Sequence, residues 1–372
     1  MSDTQENSTQ MDTTCPQCGG KLEFVPQHKS LRCESCGFEK AVEMKRASEN
    51  NDNQRHRRPH GDLEQNFYEI DDMVTEANWG TETNDVECQC CGASIVFSAN
   101  DMSNECPYCG ASLSANTGKK QNPNTISPTG VIVFNVDAEK AKEKFTNWIK
   151  GKFFCPTEVK QYLKPEKMQG IYVPYWTFDA SVSTKYSGEY GVRSGTTEEK
   201  QRIDWYLTDG FIDADFDDVL VPGTNKQNRV LLRGIEPFNN TNNPVRYEPH
   251  YLAGFGAESY TIGPKEAWTE AETIMKAQLI DKISNKIIER NNACDTRNIK
   301  VEPSFEDITY KYLLMPVWIS SFKYQDKVYN FMVNGQTGKV FGDYPISKTK
   351  VTITLLIIAA VLFALYKFVF TK

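Results

Sequence analysis

The chain has 372 residues, with 42 Lys and Arg against 49 Asp and Glu, a net charge of −7 and 39% hydrophobic residues. That length accommodates two or three domains with a real core. The acid surplus excludes a general cationic coat for nucleic acid and directs attention to protein or membrane surfaces.

Eleven cysteines stand against four histidines. Eight of them form four C-x-x-C pairs, which reads as a metal framework in a reducing compartment, with Cys90, Cys155 and Cys294 left over. Residues 1–13 are polar, with neither a basic start nor an apolar run, so no secretory signal is expected and the body belongs in the cytoplasm.

The first element spans 12–40. Cys15-Pro-Gln-Cys18-Gly19 is followed after 14 residues by Cys33-Glu-Ser-Cys36-Gly37. Each pair can turn two thiolates toward one metal, and the glycine after the second cysteine supplies the positive φ that such a knuckle needs. His28 is read as a loop residue, because four thiolates already fill a tetrahedron. Residues 41–84 are read as a flexible linker containing Glu49-Asn-Asn-Asp-Asn-Gln-Arg-His-Arg-Arg-Pro59. Its Arg55, His56, Arg57, Arg58 and the nearby His60 read as a solvated charge cluster in preference to a phosphate contact. Leu63, Phe67, Ile70, Val74 and Trp79 suggest a short docking segment or a cover for the next module.

Residues 85–114 repeat the first pattern. Cys88 and Cys91-Gly92, then 14 residues, then Cys106 and Cys109-Gly110 predict a second four-cysteine ribbon. Cys91 is chosen over Cys90 because it keeps the two-residue gap and precedes glycine. Two structural Zn2+ sites are therefore expected, one on Cys15, Cys18, Cys33 and Cys36, the other on Cys88, Cys91, Cys106 and Cys109. A four-thiolate zinc has no open coordination position, so the sites are expected to be structural, with function on the ribbon surfaces. Acids outnumber bases around both, which favours protein docking over nucleic acid.

An α+β domain is expected over 126–347. Val131–Phe134 reads as a strand, and Asp137 opens a helix whose stripe is Ala141, Phe145, Trp148 and Ile149, stopped by Gly151. The strand Gly170-Ile-Tyr-Val-Pro174-Tyr-Trp176 shares an apolar-Pro-x-Trp kernel with Leu313-Leu-Met-Pro316-Val-Trp318, which suggests two related halves. Proline removes a ladder donor, so both kernels are expected at edges or bulges, with hairpins near Tyr186–Gly188 and Tyr324–Lys327. A long helix is expected from Pro264 to Arg290. Asp213, Asp215 and Asp217 alternate with apolar residues, as on a solvated strand face; a calcium loop lacks its glycine and terminal glutamate. Gly335-Gln-Thr-Gly338-Lys339 fails the phosphate-loop frame at Val333 and Val340 and reads as a hairpin turn. No hydrolase, ATPase or metalloprotease motif is present, so no enzyme is expected.

Val351–Tyr366 carries no charge, and the apolar stretch 351–370 is interrupted only by Lys367. About 20 helical residues cross a bilayer core, and Lys367 can reach the far interface along its stem, so a single-pass C-terminal anchor is expected.

Together the motifs resemble a bacterial family of membrane-anchored double zinc-ribbon proteins, labelled TFIIB-type zinc ribbon and loosely likened to primosomal replication helicases. The resemblance rests on Cys88 to Gly110, Lys150-Gly-Lys-Phe-Phe154, Gly170–Trp176, Phe216–Pro222, Tyr251–Phe255 and Leu314 to Ser347. The helicase likeness has no nucleotide-binding loop behind it. The resemblance implies companions of the flotillin (SPFH) or phage-shock type at the membrane. The whole is expected to be a multi-domain, tail-anchored adaptor that recruits proteins to the cytoplasmic membrane face, with a membrane-tethered nucleic-acid binder as the alternative.

Overall fold

The computed structural model describes residues 14–44, 63–70, 83–90, 94–98, 106–108, 111–113, 126–162, 168–195, 202–224, 229–239, 244–325 and 327–370. It is a multi-domain α+β protein. A small antiparallel sheet comes first: β1 (Leu22–Val25), β2 (Ser30–Cys33) and β3 (Glu39–Ala41).

Everything else is organised by one eleven-stranded sheet with two very long strands at its centre, β8 (Gln169–Ser194) and β12 (Asp295–Tyr324). These pair antiparallel, so that the two proline kernels face each other: Pro174 lies opposite Leu314, and Pro316 opposite Tyr172. The kernels therefore sit at the middle of the sheet, not at its edge as the prolines suggested. The missing N–H explains why this is tolerated. On its outer side β8 pairs with β11 (Gly256–Glu258) at Ile171 and Tyr172, then with β9 (Arg202–Pro222) from Tyr175 onward; Pro174 falls in the gap between them. Pro316 falls in the matching gap on β12, between β7 (Gly130–Val131) and β13 (Lys327–Asn334). At a change of neighbour no ladder donor is called for, so proline costs nothing there.

The correspondence extends outward. Pro174 O accepts from Gly223 N and Pro316 O from Gly335 N, both at 2.8 Å. Trp176 Nε1 donates to Ile262 O at 2.8 Å and Trp318 Nε1 to Val136 O at 2.7 Å. Each accepting carbonyl lies two residues before a helix: α1 (Ala138–Lys150) after Val136, and the longer helix at Pro264 after Ile262. Each half thus ties its helix start under the other half's tryptophan, around a local two-fold axis between β8 and β12.

Asp137 caps α1 by accepting from Lys140 N, and Gly151 ends it. A short α2 (Thr157–Tyr162) follows, and α3 (Arg229–Ile235) covers the other side of the body near β10 (Val245–Arg246) and β14 (Val340–Gly342). Helix α4 (Pro264–Asn291) buries Ala267, Ala271, Met275, Leu279, Ile283 and Ile287 against β8, β9 and β12. A strict four-residue step drifts about 40° per contact, so the sheet beneath must twist to follow the stripe.

No turn occurs at Tyr186–Gly188: β8 runs through it, pairing with β9 and β12 as far as Ser194 and Asp295. Gly188 is needed for closeness, not for turning, since a Cβ there would meet Ile299 at 3.2 Å where β12 bulges. The Gly335–Lys339 segment is the expected hairpin turn, with Asn334 Oδ1 accepting from Gln336 N and Thr337 N at 2.9 Å each. Helix α5 (Lys348–Phe370) follows, and none of its apolar span is buried by protein.

Two segments ahead of the domain also join it. β4 (Gln65–Asn66) pairs with β12, and Leu63 and Ile70 are buried, so residues 63–70, inside the stretch read as linker, lie on the body. β5 (Thr83–Glu87) and β6 (Ser94–Ser98) form a hairpin that extends the large sheet through β11.

Candidate metal centre

The chain turns back after β2 and before β1 in two C-x-x-C knuckles with the same backbone closure. Cys15 N donates to Gly20 O at 2.6 Å and Cys33 N to Phe38 O at 2.8 Å; Gly19 N and Gly37 N return to the Cys15 and Cys33 carbonyls at 2.9 Å. Gly19 and Gly37 have φ of 70° and 76°, a region that side chains disfavour, which explains glycine after each second cysteine.

These knuckles bring Cys15, Cys18, Cys33 and Cys36 into one cluster whose sulfurs all lie within 4.8 Å of one another. Cys15 Sγ is 3.6 Å from Cys36 Sγ, and Cys18 Sγ is 3.5 Å from Cys33 Sγ. A tetrahedron with metal–sulfur arms of about 2.3 Å has edges of about 3.8 Å, so this tetrad can hold a metal ion. Cys15 and Cys33 are buried, Cys18 and Cys36 exposed.

The electrostatics agree with that capacity. The Cys36 and Ser35 amides point at Cys33 and bring its thiol down to about 7 despite burial. Gly20 N–H, 3.4 Å from Cys18 Sγ, favours a thiolate there too, yet the sulfurs of Cys36, Cys33 and Cys15 push Cys18 up to about 12. Four sulfurs at this distance cannot all carry charge unaided. A dication at their centre removes the conflict, and amide dipoles already aimed at sulfur favour the thiolate form.

The ribbon is docked on the body. Phe24 N donates to Ala253 O at 2.9 Å, and the Phe24 ring meets Tyr251 edge-on at 5.2 Å and His250 at 5.6 Å. His250 is buried, with neither ring nitrogen hydrogen-bonded and Glu248 Oε2 at 3.4 Å; burial lowers its pKa to about 4, so it is neutral. Sequence reasoning set His250 aside as isolated. It belongs to the ribbon's seat.

For the second cysteine set, Cys91 and Cys109 lie outside the described residues. Cys88 and Cys106 are buried in one apolar cluster with Ile95, Tyr108 and Leu113, packed on Ile171 and Val173 of β8. Cys106 N donates to Ala111 O at 2.8 Å, the same five-residue closure as at Cys15 and Cys33. Tyr108 donates to buried Glu258 on β11, which also accepts from Thr224 Oγ1 at 2.9 Å. The Arg55–Arg58 cluster and His60 also lie outside the described residues.

The aspartates of β9 separate into two groups. Asp213 and Asp215 accept from Ser183 Oγ at 2.7 Å and Ser181 Oγ at 3.0 Å on the open strand face. Asp217 and Asp218 instead converge with Asp179, beside paired bulges in β9 and β12. Lys311 sits among them, its Nζ 2.6 Å from Asp218, 3.7 Å from Asp179 and 3.5 Å from Glu64. Burial pushes the Asp218 carboxyl up to about 6, against the pull of the ammonium. Burial also opposes the Lys311 charge, but Asp218 and Asp179 outweigh it and hold Lys311 above its ordinary range. The lysine occupies the position a cation would take, which identifies the group as an internal ion network.

No family model matches the chain, and no solved structure matches it. It is similar to the uncharacterized protein YdjG of Bacillus subtilis (strain 168), 27% identical over 235 residues that cover 61% of this chain and 66% of that one. The match thus spans just under two thirds of that relative's length.

Proposed function

We propose that this chain is a non-enzymatic adaptor held at the cytoplasmic membrane face by α5, with two structural zinc ribbons that display docking surfaces for other proteins. The observation that carries the reading is the closed Cys15, Cys18, Cys33 and Cys36 tetrad seated on a body that continues into an apolar, uncovered helix. A metal enclosed by four thiolates offers no position to water or substrate, so its contribution is to fold about 30 residues too few to hold a core unaided. Zinc suits an isolated four-thiolate tetrahedron better than other metals of that softness.

The second ribbon, on Cys88, Cys91, Cys106 and Cys109, is supported by the shared closure at Cys106 and by the joint burial of Cys88 and Cys106. The anchor is supported by the length and hydropathy of Lys348–Val369. Reduced thiolates place the body on the cytoplasmic side. The resemblance to the membrane-anchored double zinc-ribbon family suggests flotillin (SPFH) or phage-shock-type proteins as partners.

The test is co-purification from membranes in mild detergent, with and without nuclease, comparing the intact chain with Cys88→Ser/Cys91→Ser. A nuclease-resistant protein partner lost with the second site is the expected result. Nucleic acid recovered in its place, or a body that stays with membranes after removal of 348–372, overturns the reading.

A further inference from the structure

The loop between α1 and α2 is tied to the first turn of α5. Ser347 N donates to Phe154 O at 2.9 Å, and Lys350 Nζ donates to Cys155 O at 2.7 Å and Phe153 O at 3.4 Å. Lys350 is two residues into the helix, roughly 3 Å along its axis, so the loop lies level with the start of the apolar span. At that level Phe153 is 67% exposed and Ile346 61% exposed, two large apolar side chains that the body does not cover. Beside them Trp148 and Tyr344 meet edge-on at 5.8 Å, with Lys152 Nζ over both rings at 4.4 and 5.4 Å.

The charge here is one-sided. Lys150, Lys152, Lys160, Lys348 and Lys350 surround the loop, against Glu158, which accepts from Tyr324, and Asp343. Helix α5 has 23 residues, about 35 Å, slightly more than a bilayer core, so its first turn falls among headgroups and carries the loop with it. Aromatic rings with a polar tip, exposed phenylalanine and cationic stems are the side chains that favour this boundary.

We propose that the 151–156 loop, together with Trp148, Tyr344 and Ile346, is a second membrane contact, seated in the lipid headgroup boundary beside the anchor. Phe153 enters the acyl region, the Trp148–Tyr344 pair lies at headgroup level, and the lysines face anionic lipid. The contact fixes the tilt of the body against the membrane, which a single helix after a short connection does not do. The inference rests on α5 spanning the bilayer, and its test separates the two.

The intact chain is reconstituted in phosphatidylcholine and phosphatidylglycerol vesicles as Phe153→Trp and, separately, as Phe363→Trp, with tryptophan emission taken as the difference from the parent. Lipids brominated at the headgroup end of the acyl chains are expected to quench the Phe153→Trp difference emission by about twofold or more, with aqueous acrylamide ineffective, as for any indole at this boundary. Quenching by acrylamide without quenching by bromolipid, while Phe363→Trp is quenched by bromolipid, overturns the contact and leaves the anchor standing. Shielding of Phe153→Trp from both quenchers puts protein at this surface and overturns the contact as well. Phe363→Trp untouched by bromolipid removes the anchor and the contact together.

Discussion

Replacing Phe24 by alanine tests whether the first ribbon is a fixed part of the body. The ring is buried and belongs to the ribbon by chain, but its contacts with Tyr251 and His250 belong to the seat. Burial of a phenylalanine contributes about 1.5–3 kcal/mol and an edge-on aromatic pair about 1 kcal/mol more. The docking loss is therefore about 3 kcal/mol, inside the range for truncating a core phenylalanine. None of it touches a cysteine, so the ribbon keeps its metal. By hydrogen exchange in detergent, amides of β1 and of 250–257 are expected to lose about two orders of magnitude of protection, while the β8–β12 ladder keeps its own. Water then reaches His250, whose pKa of about 4 results from burial, and its titration moves toward the ordinary value of about 6.5. Unchanged protection at 250–257 with His250 still titrating near 4, or loss of metal and of the whole fold together, refutes the docking argument.

Zinc analysis of the intact chain should find two ions per molecule and three reactive thiols, and Cys18→Ser/Cys36→Ser should leave one ion; iron in either site overturns the assignment. His250 protonates in the unfolded chain near 6.5 but only near 4 when folded, so its contribution is complete above about 6.5 and falls by up to about 3 kcal/mol as pH drops to 4. Asp218 has the opposite sign: its raised folded pKa makes its contribution largest below its unfolded value of about 4 and smaller as pH rises through about 6. Denaturation curves of His250→Phe and Asp218→Asn across pH 4–7 separate the two slopes. Lys311→Met leaves Asp179, Asp218 and Glu64 without their cation and should cost about 3–5 kcal/mol at pH 7, less near pH 5 where Asp218 takes up a proton. Trp176→Phe and Trp318→Phe each orphan one carbonyl, and their thermal shifts should match each other at about 1–3 kcal/mol apiece.

Some features were legible because their cause is local. The C-x-x-C-Gly spacing closes a knuckle within six residues, Asp137 and Gly151 bound α1 by capping and stopping it, and Gly335–Lys339 turns through contacts of Asn334 with its immediate successors. The apolar run of α5 and the extent of α4 follow equally from short-range pattern. What depended on neighbours remote in sequence was not legible. Pro174 and Pro316 occupy the sheet centre because two other strands change places beside each of them. Tyr186–Gly188 stays extended because Ile299, more than a hundred residues later, crosses over its glycine. His250 and Lys311 look like unremarkable surface residues until Phe24 in one case, and Asp179, Asp218 and Glu64 in the other, are folded against them. Backbone geometry within a turn or a helix is set by the residues in it, whereas burial, and with it the charge state of a side chain, is set by whatever the rest of the chain packs on top.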